Sequence, residues 1–100
     1  MDDRRKNKLF VTRNSEYFTH DGVCLRVRDR RRDEWLERHE AIGHRLTGAL
    51  HAPRSPGESP VHTVPEPGDT LVFEAGPHKV LTSALERVSR PPRDVVARAS

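Results

Sequence analysis

The sequence predicts a small, mainly β domain: an antiparallel barrel or strongly bent sheet of five to six short strands, with one short helix near residues 36–45. Two features predict this class. Apolar and polar residues alternate over residues 23–28, and Asp, Asn, Gly and Pro residues separate the short apolar segments. Among 100 residues, Leu, Ile, Val and Phe number 22 and the net charge is +3. This composition favours one folded domain over a disordered chain.

The first hairpin follows a charged lead-in, residues 1–7, which we expect to be solvated. Residues 9–12 combine β-branched and aromatic side chains and predict a strand. The extended pattern resumes at residues 17–19, and Asp21-Gly22 predicts a hairpin turn because both residues tolerate positive φ.

The next strand, residues 23–29, has the clearest period of two in the chain. Such alternation places one set of side chains in the core and the other in solvent. The predicted core face carries Val23, Leu25 and Val27, and the predicted solvent face carries Cys24, Arg26 and Arg28.

The middle of the chain has weaker signals. Residues 36–46 carry few apolar side chains among charged ones, which suits a short or irregular helix that Gly43 would weaken. Alternation over residues 46–51 predicts another half-buried strand. Five prolines in residues 53–68 cannot sit inside a sheet, so this segment is predicted to be an extended loop.

The last predicted hairpin pairs residues 70–74 with residues 79–88 around a turn at Gly76-Pro77. The chain is therefore predicted to form a single β domain over residues 8–90, followed by a tail over residues 91–100 that begins with two prolines. The predicted core comprises Leu9, Val11, Phe18, Val23, Leu25, Val27, Trp35, Leu36, Ile42, Leu46, Leu50, Leu71, Phe73, Val80, Leu85 and Val88.

Several classes of function lack their sequence signals. Cys24 is the only cysteine, which excludes an internal disulfide and any multi-cysteine zinc site. No apolar segment is long enough to span a membrane or to act as a signal peptide, so we expect a cytoplasmic location and no membrane partner. Neither a Gly-x-Ser-x-Gly sequence nor a phosphate-binding loop occurs. We predict no enzymatic activity and no cofactor.

The histidines give only a weak signal for a metal. His39 and His44 flank Glu40, but their spacing of five separates the two rings by about 140° around a helix. A metal-dependent hydrolase using these three residues is therefore the weakest alternative. The other four histidines are predicted to lie at the surface, in turns or at strand ends, where three or four of them could converge at one end of a barrel. They are His20, His51, His62 and His78.

Arginines form the clearest binding feature. Arg26, Arg28 and Arg30 alternate, which places them about 6.6 Å apart on one face of a strand, and Arg31 and Arg32 follow at the adjoining tip. Such a spacing suits a phosphate backbone. The competing interpretation is a solvated face whose arginines pair with nearby acids, of which the chain offers Glu16, Asp29, Asp33 and Glu34.

Two further residues complete the candidate binding surface. Tyr17 neighbours the arginine strand across the hairpin, where its ring could stack on a base if it faced outward. The other residue is Arg13. The chain resembles the PilZ family of cyclic-dinucleotide receptors in size and strand content, and the arginine arm of that family would correspond here to Arg4, Arg5 and Arg13. The Asp/Asn-x-Ser-x-x-Gly motif of that family does not occur here, so no function is carried over from it.

These observations lead to one leading hypothesis and an alternative. The chain is predicted to be a non-catalytic interaction domain that binds a protein partner or self-associates, through an exposed edge strand or the Pro-rich segment. The alternative is nucleic-acid binding through the basic hairpin. The candidate binding residues are Arg13, Tyr17, Arg26, Arg28, Arg30, Arg31 and Arg32.

Overall fold

The computed structural model describes residues 6–36, 38–51, 56–57 and 59–90, and these residues form eight β-strands and no helix. The predicted mainly β class is confirmed. The strands are β1 (Asn7–Thr12), β2 (Ser15–His20), β3 (Val23–Asp29), β4 (Glu34–Leu36), β5 (Arg45–Leu50), β6 (Val61–His62), β7 (Thr70–Ala75) and β8 (His78–Ser89).

Six of the strands close into an antiparallel barrel in the order β3-β2-β1-β8-β7-β5. The barrel closes where Val23 of β3 pairs with Arg45 of β5, which is the one register pair between these two strands. Beyond this seam β3 and β5 separate. The rest of β3 pairs with β4, and the far end of β5 pairs with β6. The two short strands therefore lie on the edges that the separation exposes.

The barrel interior holds the larger of two apolar clusters, and it receives side chains from all six barrel strands. On β1, Phe10 points into this cluster, whereas Leu9 and Val11 belong to a second cluster on the outer side of the sheet. This division follows from the period of two in a strand. The second cluster is completed by Phe18, with Leu25 and Trp35 packed against it.

The predicted turn at Asp21-Gly22 is present, with φ values of 52° and 83°. The strand that follows is extended as predicted, but its alternation is interrupted. In the pairing of β2 with β3, the register shifts between Phe18 and Thr19 of β2. Leu25 of β3 is therefore an extra residue that has no register partner on β2. A bulge of this kind moves the following side chains to the other face.

Because of this bulge, the predicted faces of β3 are wrong at three positions. Val23 was expected in the core but is only half-buried and belongs to neither apolar cluster. Cys24 was expected in solvent but is fully buried in the barrel interior together with Val27. Leu25 was expected in the same core as Val27 but packs against the outer cluster.

The helix predicted near residues 36–45 does not form. Glu34–Leu36 is a strand, and residues 40–43 form turns in which Gly43 has a φ of 88°. Backbone bonds to β3 explain the difference: Cys24 N–H donates to the His44 carbonyl at 2.9 Å, and Gly43 N–H donates to the Cys24 carbonyl at 2.8 Å. These tertiary hydrogen bonds replace the ones that a helix would have made.

Three smaller differences concern burial and the loop. Leu50 and Val88 were predicted to be core residues but are 37% and 44% exposed. The Pro-rich segment contains the two-residue strand β6, since the residues between Pro60 and Pro65 keep their amide donors. Buried apolar residues that the prediction missed are Phe10, Tyr17, Cys24, Ala41 and Ala49.

The predicted lead-in up to residue 5, parts of the Pro-rich loop and the tail over residues 91–100 lie outside the described residues. Within the described part, no helix has the length and apolar character needed to cross a membrane.

Candidate functional site

The arginines of β3 have partners within the protein. Arg26 lies under Trp35, with its guanidinium carbon 4.6 Å from the ring centroid, and its Nη1 is buried with no hydrogen-bond partner in the described part of the chain. Arg28 forms ion pairs with Glu16 and Asp33. Neither guanidinium projects freely from the strand in the way that a row of phosphate contacts requires.

The tip arginines are also engaged. Arg30 donates from Nη1 to the Thr12 carbonyl at 2.6 Å and to Glu86 at 2.8 Å. Asp29 accepts from the Arg31 amide at 2.9 Å, and its other carboxylate oxygen lies 4.0 Å from Arg32 Nε. Acids therefore pair with three of the six arginines of the predicted basic surface, Arg28, Arg30 and Arg32. Among its members, the side chains of Arg31 and Arg13 have no ion pair with a described residue, and both are exposed.

Tyr17 does not face the arginines. Its ring is 4% exposed, lies in the barrel interior, and stacks on Phe73 with the ring centroids 5.4 Å apart. Burial raises the pKa of the Tyr17 phenol above its ordinary value of 10.0. Phe18, the other aromatic residue of β2, is 1% exposed on the opposite side of the sheet. Neither aromatic side chain of β2 is therefore available to stack on a base beside the arginines of β3.

An exposed apolar surface lies instead on the outer face of β5, β7 and β8. Val72 pairs directly with Gly48 on one side and with Leu81 on the other, so the three share one face. Val61 of β6 covers Gly48, since a Cβ at that glycine would lie 3.6 Å from Val61 Cγ1. We call these four residues the apolar row. Val61 is 51% exposed and Leu81 is 59% exposed.

The neighbouring rows of the same face differ in character. On one side of the apolar row, Leu50, Thr70 and Ala84 are paired and uncharged. On the other side, Glu74 pairs in register with Arg45 and Lys79, and the Lys79 ammonium lies 3.5 Å from its carboxylate. The outer face thus has an apolar centre, an uncharged margin, and a margin that carries both signs of charge.

The residues of the weakest alternative, His39, Glu40 and His44, do not form a metal site. His39 Nδ1 accepts a hydrogen bond from the Ala41 amide at 3.0 Å, and its ring packs edge-on against Tyr17. Burial lowers the pKa of His39, which favours the neutral ring that this hydrogen bond needs. Of the described residues, a different set brings three metal-ligating side chains together.

That set consists of His51, His62 and Asp69, which we call the histidine–aspartate cluster. Strand alternation explains its position. His62 pairs directly with the buried Ala49, His51 is two residues beyond Ala49, and Asp69 is two residues before the buried Leu71. All three side chains therefore point toward the interior at one rim of the barrel.

The cluster is closely packed. The two imidazole rings stack with their centroids 3.6 Å apart and an angle of 15° between their planes. His62 Nδ1 lies 2.9 Å from Asp69 Oδ2, and the Glu66 amide donates to the same oxygen at 2.9 Å. Burial alone would raise the pKa of the Asp69 carboxyl, but the hydrogen bonds from His62 and Glu66 and the electrostatic interaction with both histidines lower it below its ordinary value.

A pocket of about 310 Å³ opens at the opposite rim, beside the β2–β3 turn. Its lining includes the exposed Lys6 and Lys8 and the buried Thr19, whose hydroxyl donates to the Lys8 carbonyl. No described residue of this lining offers a nucleophile paired with a base. Cys24 is fully buried elsewhere, and burial raises the pKa of its thiol to about 12, which removes the thiolate needed for nucleophilic attack.

No spaced motif marks the histidine–aspartate cluster in the sequence. Of the four histidines that could converge at one end of the barrel, His51 and His62 do converge. His20 instead contacts Asn7, at 2.8 Å.

Comparison with family models, curated proteins and solved structures finds no match to this chain.

Proposed function

We propose that this chain is a non-catalytic, cytoplasmic interaction domain, and that it self-associates through the outer face of β5, β7 and β8. The observation that carries the proposal is the apolar row, in which Val61 and Leu81 are each more than half exposed. Contiguous exposed apolar patches that are rimmed by polar residues mark interaction surfaces in soluble proteins.

The occupant proposed is a second copy of the chain. In a two-fold symmetric dimer the same patch meets itself, so a patch with a strong excess of one charge would repel its copy. The apolar row carries no charge, and the charged margin contains Glu74 between Arg45 and Lys79. Opposite charges are therefore available to meet across the two-fold axis.

The nucleic-acid alternative has less support. Binding to a phosphate backbone depends on cations that can give up their counterions, whereas Arg28 and Arg30 already contact Glu16, Asp33 and Glu86. On the proposed contact face, the described cations Arg45 and Lys79 lie in the same row as the Glu74 carboxylate.

Sedimentation of the purified chain over low-micromolar to near-millimolar concentrations tests the proposal. We expect a concentration-dependent dimer. Two variants, Leu81→Arg and Val61→Arg, place like charges on the apolar row and should shift the equilibrium to the monomer. Val88→Arg is the matched control, because Val88 is also exposed on β8 but lies seven residues from Leu81 and pairs with β1.

Circular dichroism verifies that each variant keeps its β structure. A chain that remains monomeric at every concentration contradicts the proposal. So does a dimer that persists in both arginine variants of the row, or one that only Val88→Arg disrupts.

A further inference from the structure

We propose that the histidine–aspartate cluster binds one divalent transition-metal cation of the zinc class, with His51, His62 and Asp69 as its protein ligands. The proposal does not depend on self-association, since these three side chains point toward the barrel interior and the apolar row lies on the outer face.

The types of donor atom favour this class of cation. Imidazole nitrogens and a carboxylate oxygen are ligands that zinc and its neighbours accept, whereas calcium and magnesium prefer an all-oxygen set. One negative charge and two neutral nitrogens form a common three-ligand set with a fourth position open. Glu66, whose Oε2 lies 3.7 Å from His62 Nδ1, is close enough to approach that position.

The distances fit with a small adjustment. One donor atom from each residue can be chosen so that all three lie within 4.8 Å of one another. Two ligands of a tetrahedral zinc ion are about 3.3 Å apart, given metal–ligand bonds of about 2.0 to 2.2 Å. The 2.9 Å between His62 Nδ1 and Asp69 Oδ2 is slightly shorter than this, so these two ligands need to separate by about 0.4 Å. Rotation of the half-buried His51 ring would bring its nitrogen closer to the other two ligands.

The backbone holds the ligands before any ion arrives. Asp69 is 2% exposed, its amide donates to the Glu66 carbonyl at 3.0 Å, and its carbonyl accepts from Leu85 of β8 at 2.7 Å. The His51 amide donates to the Pro60 carbonyl at 2.9 Å, which joins the end of β5 to the start of β6. The Glu66 amide bond to Asp69 Oδ2 orients the carboxylate, as outer partners do in established metal sites.

The stacked rings also bring nitrogen ligands next to a buried carboxylate. With the ring centroids 3.6 Å apart, one nitrogen of each imidazole lies within 4.8 Å of a carboxylate oxygen of Asp69, which is 2% exposed. A divalent ion in this position takes the place of the proton that His62 now donates to Asp69 and satisfies both groups.

Calorimetric titration of the untagged, EDTA-treated full chain with Zn²⁺ tests the proposal, and Co²⁺ is the spectroscopic probe. We expect one ion per chain, a raised midpoint of thermal unfolding, and a cobalt spectrum of low coordination number. His62→Gln and Asp69→Asn should weaken binding by at least roughly tenfold to a hundredfold, the loss produced even by changes to outer partners. His78→Gln is the matched control, since His78 is exposed at the start of β8.

If His62→Gln or Asp69→Asn fails to fold, His51→Gln still tests the proposal. It changes a half-buried ligand and removes no hydrogen bond to Asp69. Folding of each variant is verified by circular dichroism. Overturning results are the absence of one-to-one binding of either ion, or an affinity that His51→Gln, His62→Gln and Asp69→Asn leave within threefold of the parent. The cluster is then a hydrogen-bonded structural pair with a stacked neighbour.

Discussion

The guanidinium of Arg26 packs on the face of Trp35, at 4.6 Å from the ring centroid, while its Nη1 is buried without a hydrogen-bond partner in the described chain. The same strand carries Arg28, which is paired with Glu16 and Asp33. Two arginines separated by one residue are thus held by different interactions. Arg26 packs on an aromatic ring but leaves one guanidinium donor without a hydrogen bond, whereas Arg28 forms ion pairs with two carboxylates.

This contrast predicts different effects of the same substitution. Arg26→Met keeps the apolar stem over Trp35 and removes an unsatisfied donor, so we expect the free energy of unfolding to change by less than about 1 kcal/mol. Arg28→Met leaves Glu16 half-buried without its cation and should destabilise by about 1 to 3 kcal/mol. Urea unfolding of the two variants measures the difference. Equal losses from both would contradict this account of the strand.

The ion pairs of β3 also predict how the chain responds to duplex DNA. Binding measured by fluorescence anisotropy should be weak, with a log-log salt slope shallower than about −0.9, which corresponds to fewer than one neutralised phosphate. Glu16→Gln combined with Asp33→Asn frees Arg28 and should steepen the slope. Glu40→Gln combined with Glu66→Gln raises the net charge equally without releasing Arg28, and should change the slope less. A steep slope for the parent protein would revive nucleic-acid binding.

The thiol of Cys24 should be inert in the folded protein. It is fully buried, and burial raises its pKa to about 12, so almost no thiolate is present at mildly alkaline pH. We expect a disulfide reagent such as DTNB to react with the native chain no faster than the chain unfolds, and to react at once in concentrated urea. Rapid labelling without denaturant would show that the interior next to the seam is open to solvent.

Acid should weaken the fold through His39. Burial lowers its pKa below the ordinary 6.5, and its Nδ1 accepts the Ala41 amide, so the unfolded chain binds a proton here more readily than the folded chain. The contribution of this residue to the free energy of unfolding is full above pH 6.5 and declines as the pH falls below it.

His39→Asn tests this contribution, because the asparagine oxygen can accept the same amide but does not titrate. Chemical denaturation at several pH values should show a shallower loss of stability in the variant, by at most about 1.4 kcal/mol per pH unit. An unchanged pH dependence would assign the acid sensitivity to other groups.

Local sequence patterns predicted the strands and turns that depend on neighbouring residues. The Asp21-Gly22 turn needs only two residues that accept positive φ, and the strand after it needs only its alternation. The bulge at Leu25 could not be predicted in this way, since it depends on how β2 and β3 curve within the barrel. The absent helix has a similar cause, because its competitor is a pair of backbone bonds to Cys24 from residues far along the chain.

The candidate sites show the same limit. The prediction placed Arg30 on the basic surface and considered acidic partners for it, but its partner is Glu86, at a distance of 56 residues in sequence. The histidine–aspartate cluster forms only when β6 pairs with β5 and thereby brings His62 beside His51. A two-residue strand among prolines gives almost no local signal, and the convergence that it produces is a property of the tertiary fold.

The closure between Val23 and Arg45 has a consequence for how the molecule opens. Only this register pair and a few adjacent backbone bonds, such as Leu46 to Gly22 at 2.7 Å, join β3 to β5, whereas every other junction of the cylinder is a longer ladder. Transient opening of the barrel will start at this closure. It converts a closed barrel into a curved sheet with two free edges. Amides of residues 22–24 and 43–46 will therefore exchange their hydrogens sooner than those in the middle of β1.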